Sequence, residues 1–506
     1  MSKSQMISGL SWNTLTVVIQ VVVQLIYTAL IARMIAPQSF ALMGIVLSLI
    51  GFAEIFSQVG IGPALIQRKE VQQSHISGAF WTSVFLGLAF TLGFIISAPT
   101  IAKAYGIPEL KLIIQVVCTS FTISALAVVP RSLMMKEMRF KNFFFASMVS
   151  IIGGNLVVGL TLAYLKFDVW AYVWALFAQN TLMTLAFWYY HPISIRGGWK
   201  WSAIKELFRY GSGSTLFNSL NYAATKMDVT LVPLFMQRSI GMPQAEQLRL
   251  SGMYERSAYV ISLPITIIAK LSDSVLFSGM AKMQDDQASL KRTVLVGTHI
   301  MAVLIIPATA WVMVYAPELI QLYLGPNYAD AAPILQVLFA AVIFRTLSRL
   351  ADALLRASDA VFIGSWIKAI YLVLMAVGIF LSIPFGLVAI AWSISATTLI
   401  HYIMGLYLCR KLIHVKLSEQ MAALSNGVLL GFLMALVSLT TAWISRMLCL
   451  PSLAILIIGL TSGLFFAGAF IWIRPQFLGK KEESLLLVLP LKLRNLRFIQ
   501  RLIQKL

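Results

Sequence analysis

The chain has 506 residues, of which 39 are Lys or Arg and 19 are Asp or Glu, so charged residues make up 11% against 59% hydrophobic ones. Soluble domains carry about 25% charged residues, and a mean hydropathy of +0.85 leaves a water-soluble enzyme without enough polar surface to cover itself. Disordered chains lack the apolar and aromatic residues that abound here, so composition leaves a polytopic membrane protein.

Continuous apolar runs predict transmembrane helices over 8–33, 39–62, 76–98, 109–130, 142–165, 168–190, 208–236, 252–281, 291–316, 331–356, 360–383, 385–409, 418–444 and 450–473. Fourteen spans of ~20 residues need about 280 residues, which leaves short loops and no separate soluble domain. The first run, Ile7 to Ile35, is too long for a signal-peptide core and reads as the first span. The runs do not alternate, so a β-barrel is not expected. The expected fold is therefore an all-α polytopic bundle.

An even number of spans puts both termini on one side, and Lys and Arg choose it. With the N-terminus inside, the external loops hold Arg33, Lys103, Lys111, Lys166, Arg238, Arg249 and Arg446. Cytoplasmic stretches such as Arg131 to Lys141, Arg196 to Arg209 and Arg410 to Lys416 are far more basic. This is the positive-inside pattern, and it accounts for most of the +20 net charge without nucleic acid as a partner. The tail at 474–506 ends in two stripes, Leu496, Ile499, Ile503 and Leu506 beside Arg494, Arg497, Arg501 and Lys505. That pattern predicts a basic amphipathic helix lying on anionic membrane lipid.

The chain also repeats itself weakly. Leu112 to Val117 resembles Ile334 to Leu338, and FDVWAYVW at 167–174 resembles FGLVAIAW at 385–392, about 220 residues apart. Six spans separate the copies, so the repeat is parallel. The simplest architecture is an N-terminal six-helix lobe over 1–190, a C-terminal six-helix lobe over 208–410, a central cavity, and two additional helices over 418–473.

Six cations fall within spans: Lys226, Arg256, Lys270, Arg345, Arg349 and Lys368. Glu54, Asp228, Asp273 and Asp352 are their acidic neighbours. A charge at the bilayer centre costs at least ~2.5–3.5 kcal/mol, so six unsolvated ones would cost about 15–20 kcal/mol, more than a typical net stability. They must face water, counter-charges or an anionic ligand. Arg345, Arg349, Asp352 and Arg356 recur at helical spacing on one face. Ser214, Asn218, Asn221, Thr225 and Asp228 do the same in the seventh span, and Asn13, Thr16, Gln20, Gln24 and Tyr27 in the first. Ion pairing of Lys226 with Asp228 and of Lys270 with Asp273 is the plainer reading of those residues. Snorkelling is the plainer reading of Arg256, and Arg356 reads as the cytoplasmic end of the tenth span.

No Walker A motif, HExxH motif or Cys/His cluster is present. Cys118, Cys409 and Cys449 are too scattered for a disulfide framework, and the histidines at 75, 191, 299, 401 and 414 are dispersed. Neither a cofactor, a metal site nor an enzyme's catalytic set is expected.

Several strings carry a family resemblance. They are SGLSWNTL at 8–15, GIGPALIQRKE at 60–70, RSLMMKEMRF at 131–140, GMYERSAY at 252–259, KMQDD at 282–286 and LGPNYADAAPILQVL at 324–338. With these the chain resembles the polysaccharide exporters of the multidrug/oligosaccharidyl-lipid/polysaccharide flippase superfamily. The resemblance is to the colanic-acid-exporter type of lipopolysaccharide biosynthesis protein and covers roughly residues 8–410. It implies two six-helix lobes around a cationic cavity, usually with two extra helices. It also implies transfer of a polyprenyl-diphosphate-linked oligosaccharide across the bacterial inner membrane, with a glycan polymerase as a further partner. The six span cations would bind substrate, while Glu54, Asn218, Asn221, Asp228 and Asp273 would line the cavity or couple an ion. Asp228 and Tyr254 stand where the family has Asp and Tyr. The connection QRSIGMPQAEQLRLSG at 237–252 is longer and more polar than the family pattern, and LLRASDA at 354–360 carries Arg356 where a small or apolar residue is common. A multidrug exporter of the same superfamily would instead carry net negative charge in its cavity. A membrane glycan polymerase or acyltransferase would need catalytic residues near the outer face.

Overall fold

The computed structural model describes residues 3–58, 61–68, 71–195, 201–236, 242–272, 280, 283, 286–358, 360–474 and 477. Within its helices the side chains of 3–11, 13–14, 55–58, 63, 67, 201–218, 267–272 and 361 lie outside the description. The amphipathic helix expected in the tail lies outside the described residues.

Among the described residues each expected span overlaps a helix, and no strand is present. In chain order these are α1 Lys3–Ile31, α2 Pro37–Gln58, α3 Ile61–Gln67, α4 Gln73–Tyr105, α5 Leu110–Val117 and α6 Ser120–Lys136. They continue with α7 Phe140–Ile151, α8 Leu160–Tyr164, α9 Val169–Tyr190, α10 Trp201–Met236 and α11 Gln244–Ser272. The remainder are α12 Gln287–Tyr323, α13 Ala332–Ala357, α14 Val361–Ser382, α15 Leu387–Ile413, α16 Leu417–Met447 and α17 Ser452–Ile473. Among the described residues ten helical segments are long and apolar enough to cross a membrane, and Leu15–Ile31 is a shorter apolar run. Helices suit lipid because each satisfies its own backbone polar groups. Large apolar side chains such as Phe85, Ile96, Phe362, Trp366 and Phe465 stand exposed on the surface, as lipid contact requires and water does not favour.

Three local departures from the expected spans have identifiable causes. The fourth span breaks into α5 and α6 at Cys118 and Thr119, whose backbone N–H groups turn back to Ile114 and Val116. The fifth is interrupted by a π-helical stretch, Ile152–Gly159. There Gly154 lets the backbone of Gln179 on α9 approach so closely that a Cβ would stand 2.6 Å from it, and Asn155 donates to Gln24 of α1 at 3.1 Å. The helix of the eighth expected span begins at Gln244, eight residues before the expected 252, because residues 244–251 of the polar connection are helical.

The chain forms two compact units, Met1–Glu255 and Arg256–Leu506, with the division falling inside α11. In the first, α2, α4, α5, α6 and α9 enclose a core of Met43, Ile45, Val46, Ile114, Phe121 and Val173. The helix α10 packs on α2, α3 and α4. In the second, Leu290, Val294, Leu350, Leu354, Tyr402 and Ile413 form the core between α12, α13 and α15. The last two helices, α16 and α17, dock on α12 by polar ties as well as packing. Arg446 holds Glu318 through two nitrogens at 2.7 and 2.9 Å, and Trp311 donates to the Gly459 carbonyl at 2.9 Å.

Candidate functional site

In the first unit, candidate polar residues converge at two places. Glu54 on α2 lies within electrostatic reach of Arg131 on α6 and Tyr222 on α10. One turn earlier, Gly51 sits beneath the Tyr222 ring, whose hydroxyl donates to the Leu47 carbonyl at 3.3 Å. A side chain at 51 would collide with that ring, so glycine permits the α2–α10 crossing that brings Tyr222 toward Glu54. Further along α10, Asp228 is buried at 1% exposure and accepts the Tyr254 hydroxyl of α11 at 3.0 Å. Lys226 and Asn221 are half-buried on the same helix. Thr225, part of the polar stripe, spends its hydroxyl on the Asn221 and Tyr222 carbonyls of its own helix.

In the second unit, Arg256 is 2% exposed, with its guanidinium 4.9 Å from the centroid of the Tyr259 ring. It is enclosed by protein rather than extended to an interface, and a cation over an aromatic face is stabilised there. The larger assembly lies on α13, α14 and α15. Lys368 pairs with Asp352 at 2.8 Å, their side chains 3% and 14% exposed. Arg349 and His401 lie within electrostatic reach of Asp352, and Arg345 and Lys368 within reach of His401. Tyr371 packs on the His401 ring at 4.8 Å between centroids, its hydroxyl 3.4 Å from that of Thr398. The helical spacing of Arg345, Arg349 and Asp352 therefore does converge, and Lys368 joins them from the next helix. Arg356, one turn on, turns its Nε toward the Asp352 carbonyl at 3.4 Å, as a residue closing its helix does.

The geometry adds His401, Tyr371, Arg131 and Tyr222 to the residues chosen from spacing. His401 has no charged residue at helical spacing on α15, so its neighbours come only from α13 and α14. Asp273 lies outside the described residues, as do the side chains of Lys270, Asn218, Ser214 and Asn13. Among the described residues no three His, Cys, Asp or Glu side chains gather as metal donors.

Among the described residues, Arg345, Arg349, Lys368 and His401 gather with Asp352 on α13–α15, more bases than acids. Arg presents a planar fork of donors matched to phosphate oxygens, and Lys a compact point charge. The assembly is thus suited to an anion with several oxygens.

A family model described as polysaccharide biosynthesis protein matches residues 30–333. The lipopolysaccharide biosynthesis protein WzxC of Escherichia coli (strain K12) is 24% identical over 357 residues, 70% of each chain. The teichuronic acid biosynthesis protein TuaB of Bacillus subtilis (strain 168) is 22% identical over 445 residues, 86% of this chain and 88% of the relative. Among solved structures, the lipid II flippase MurJ in an inward closed conformation superposes with a TM-score of 0.67 at 12% identity. The match covers 91% of this chain and 99% of that one.

Proposed function

The chain belongs to the polysaccharide biosynthesis protein family, and from that premise we propose that it is a flippase for a polyprenyl-diphosphate-linked oligosaccharide in a bacterial cytoplasmic membrane. The observation that carries the reading is the gathering, among the described residues, of Arg345, Arg349 and Lys368 with Asp352 and His401 on membrane helices. A diphosphate supplies the compensating negative charge, and the prenyl tail remains in lipid while the glycan crosses. The relatives point the same way: two are named for the biosynthesis of surface polymers, and a structural neighbour is named a lipid II flippase. The protein acts as a transporter by alternating access, with both termini in the cytoplasm, and hands its cargo to a glycan polymerase.

Deleting the gene leaves the lipid-linked repeat unit on the cytoplasmic side of the membrane. Arg345→Ala lowers export about tenfold or more, the scale of losing a hydrogen bond to a charged group, at near-normal protein level. Arg345→Lys keeps the charge but not the fork, and retains part of the activity. Intact surface polymer with altered drug resistance in the deletion strain would instead identify a multidrug exporter.

A further inference from the structure

The first turns of α11 help build a pocket in the first unit. Its described lining residues are Tyr105 at the end of α4 with Gly106 and Ile107 just beyond it, Pro233 from α10, Met242 just before α11, and Gln244, Gln247, Leu248 and Ser251 from the start of α11. The cavity measures about 240 Å³, below the ~300–1,000 Å³ of sites for drug-sized ligands. It admits a single ring rather than a chain. The positive-inside reading of the loops puts this end of the helices on the outer face.

The walls are pre-organised. Gly106 caps α4 in the left-handed region, at φ 62°, where a side chain would be strained. Its carbonyl accepts the Gln244 amide at 2.8 Å, and the Met242 carbonyl accepts the Gln247 amide at 2.9 Å. Each carboxamide is thereby held by one nitrogen, with its oxygen still an acceptor. Ser251 is 3% exposed, and its hydroxyl meets only the weak Met236 sulfur, at 3.7 Å. Tyr105 spends its hydroxyl on the Thr230 carbonyl at 3.1 Å, so it offers the pocket mainly its ring, with Ile107, Pro233 and Leu248 as further apolar wall.

Among the described residues, none that lines the pocket is Asp, Glu, Lys, Arg or His. The charged residues of the same helical turns, Glu246 and Arg249, pair with each other at 2.9 Å outside the lining. The described lining offers no charge to neutralise a phosphate. Its amides, hydroxyl and apolar wall match a neutral ring that carries both hydroxyl groups and C–H faces.

We propose that this pocket is a neutral-sugar subsite, holding one pyranose ring of the glycan at the outer end of the protein. That the ring belongs to exported glycan rests on the function proposed above; the choice of a neutral, hydroxyl-rich ligand does not. The ring could come from the lipid-linked unit or from finished surface polymer, which share this chemistry.

The test uses the purified full-length protein in lipid nanodiscs. Saturation-transfer NMR is recorded with methyl glycosides of a hexose, an N-acetylhexosamine and a 6-deoxyhexose at millimolar concentration. At least one glycoside receives saturation. Gln247→Met and Gln244→Met, which keep the side-chain shape, each weaken its binding about tenfold without lowering the unfolding temperature substantially, and inorganic pyrophosphate does not displace it. Where one variant fails to fold, the other carries the test, together with the pyrophosphate competition on the unchanged protein. Repeating the measurement with oligosaccharide released from the lipid-linked unit and with finished polymer tells the two sources apart. Absence of saturation from all three glycosides, displacement by pyrophosphate, or unchanged binding in a folded variant overturns the subsite. The two proposals fail separately: glycoside binding with normal export in the deletion strain refutes the flippase, and blocked export without glycoside binding refutes the subsite.

Discussion

Lys368 and Asp352 lie 2.8 Å apart with side chains 3% and 14% exposed, so their charges are shared before any ligand arrives. Removing one partner of such a pair strands the other and costs about 3–5 kcal/mol, whereas replacing both can be nearly neutral. Lys368→Met should therefore lower the unfolding temperature in detergent more than the double change Lys368→Met with Asp352→Asn. Equal losses would show that the two charges are not coupled. Beyond the end of α6, Glu137 contacts Arg139 at 2.6 Å and His191 at 3.0 Å. Burial pushes its carboxyl up, but the hydrogen bonds and charges of His191 and Arg139 outweigh this and hold it below its ordinary value. A carboxyl lowered in the folded state contributes stability above its unfolded value of about 4.3 and loses it as pH falls through the folded value. Because Glu137 is 41% exposed, solvent screening limits the gain to under about 1 kcal/mol. Glu137→Gln should flatten that acid limb in a pH series of unfolding midpoints while changing nothing near neutrality beyond this small offset.

Helix crossings show what single glycines contribute to an element. On α16, a Cβ at Gly427 would stand 2.5 Å from the carbonyl carbon of Ala302 on α12, and one at Gly431 would stand 2.6 Å from the Ile306 side chain. The two lie one turn apart, so they form the small-residue face that lets membrane helices approach closely. A backbone neighbour cannot rotate away, so Gly427→Val should cost about 1–3 kcal/mol, read as a lower unfolding temperature. The lost docking should also expose α16 and α17 to protease earlier than the rest of the chain. Gly468 has nothing within 4 Å of where its Cβ would be, and Gly468→Ala serves as the silent control.

At the scale of the molecule, topology follows from charge. If basic loops remain inside, a reporter fused after Gly106 lies outside and one fused after Lys200 lies inside. Alkaline phosphatase and fluorescent-protein fusions at the two sites read this directly, and the reverse pattern would overturn the orientation. The weak repeat has a structural counterpart at helix starts. The strings at 167–174 and 385–392 open α9 and α15 behind residues of positive φ, Asp168 at 50° and Gly386 at 84°, and their matched residues Trp174 and Trp392 are both exposed.

The sequence by itself determined the membrane class, the all-helical fold and, among the described residues, roughly where the helices lie. These follow from local hydropathy, because in lipid a segment must satisfy its own backbone whatever its neighbours do. Helical spacing likewise put Arg345, Arg349 and Asp352 on one face. Tertiary structure decided which faces meet. Asp352 takes Lys368 from sixteen residues away and Asp228 takes Tyr254 from twenty-six. His401, isolated along its own helix, enters the cation assembly only through the packing of α15 on α13 and α14. Within the π-helical stretch the backbone of Gln179 closes on Gly154, and the pocket forms where three helix ends meet. Each of these depends on the rotation of one helix about its axis relative to another, and that rotation is set by side-chain packing between segments distant in the chain.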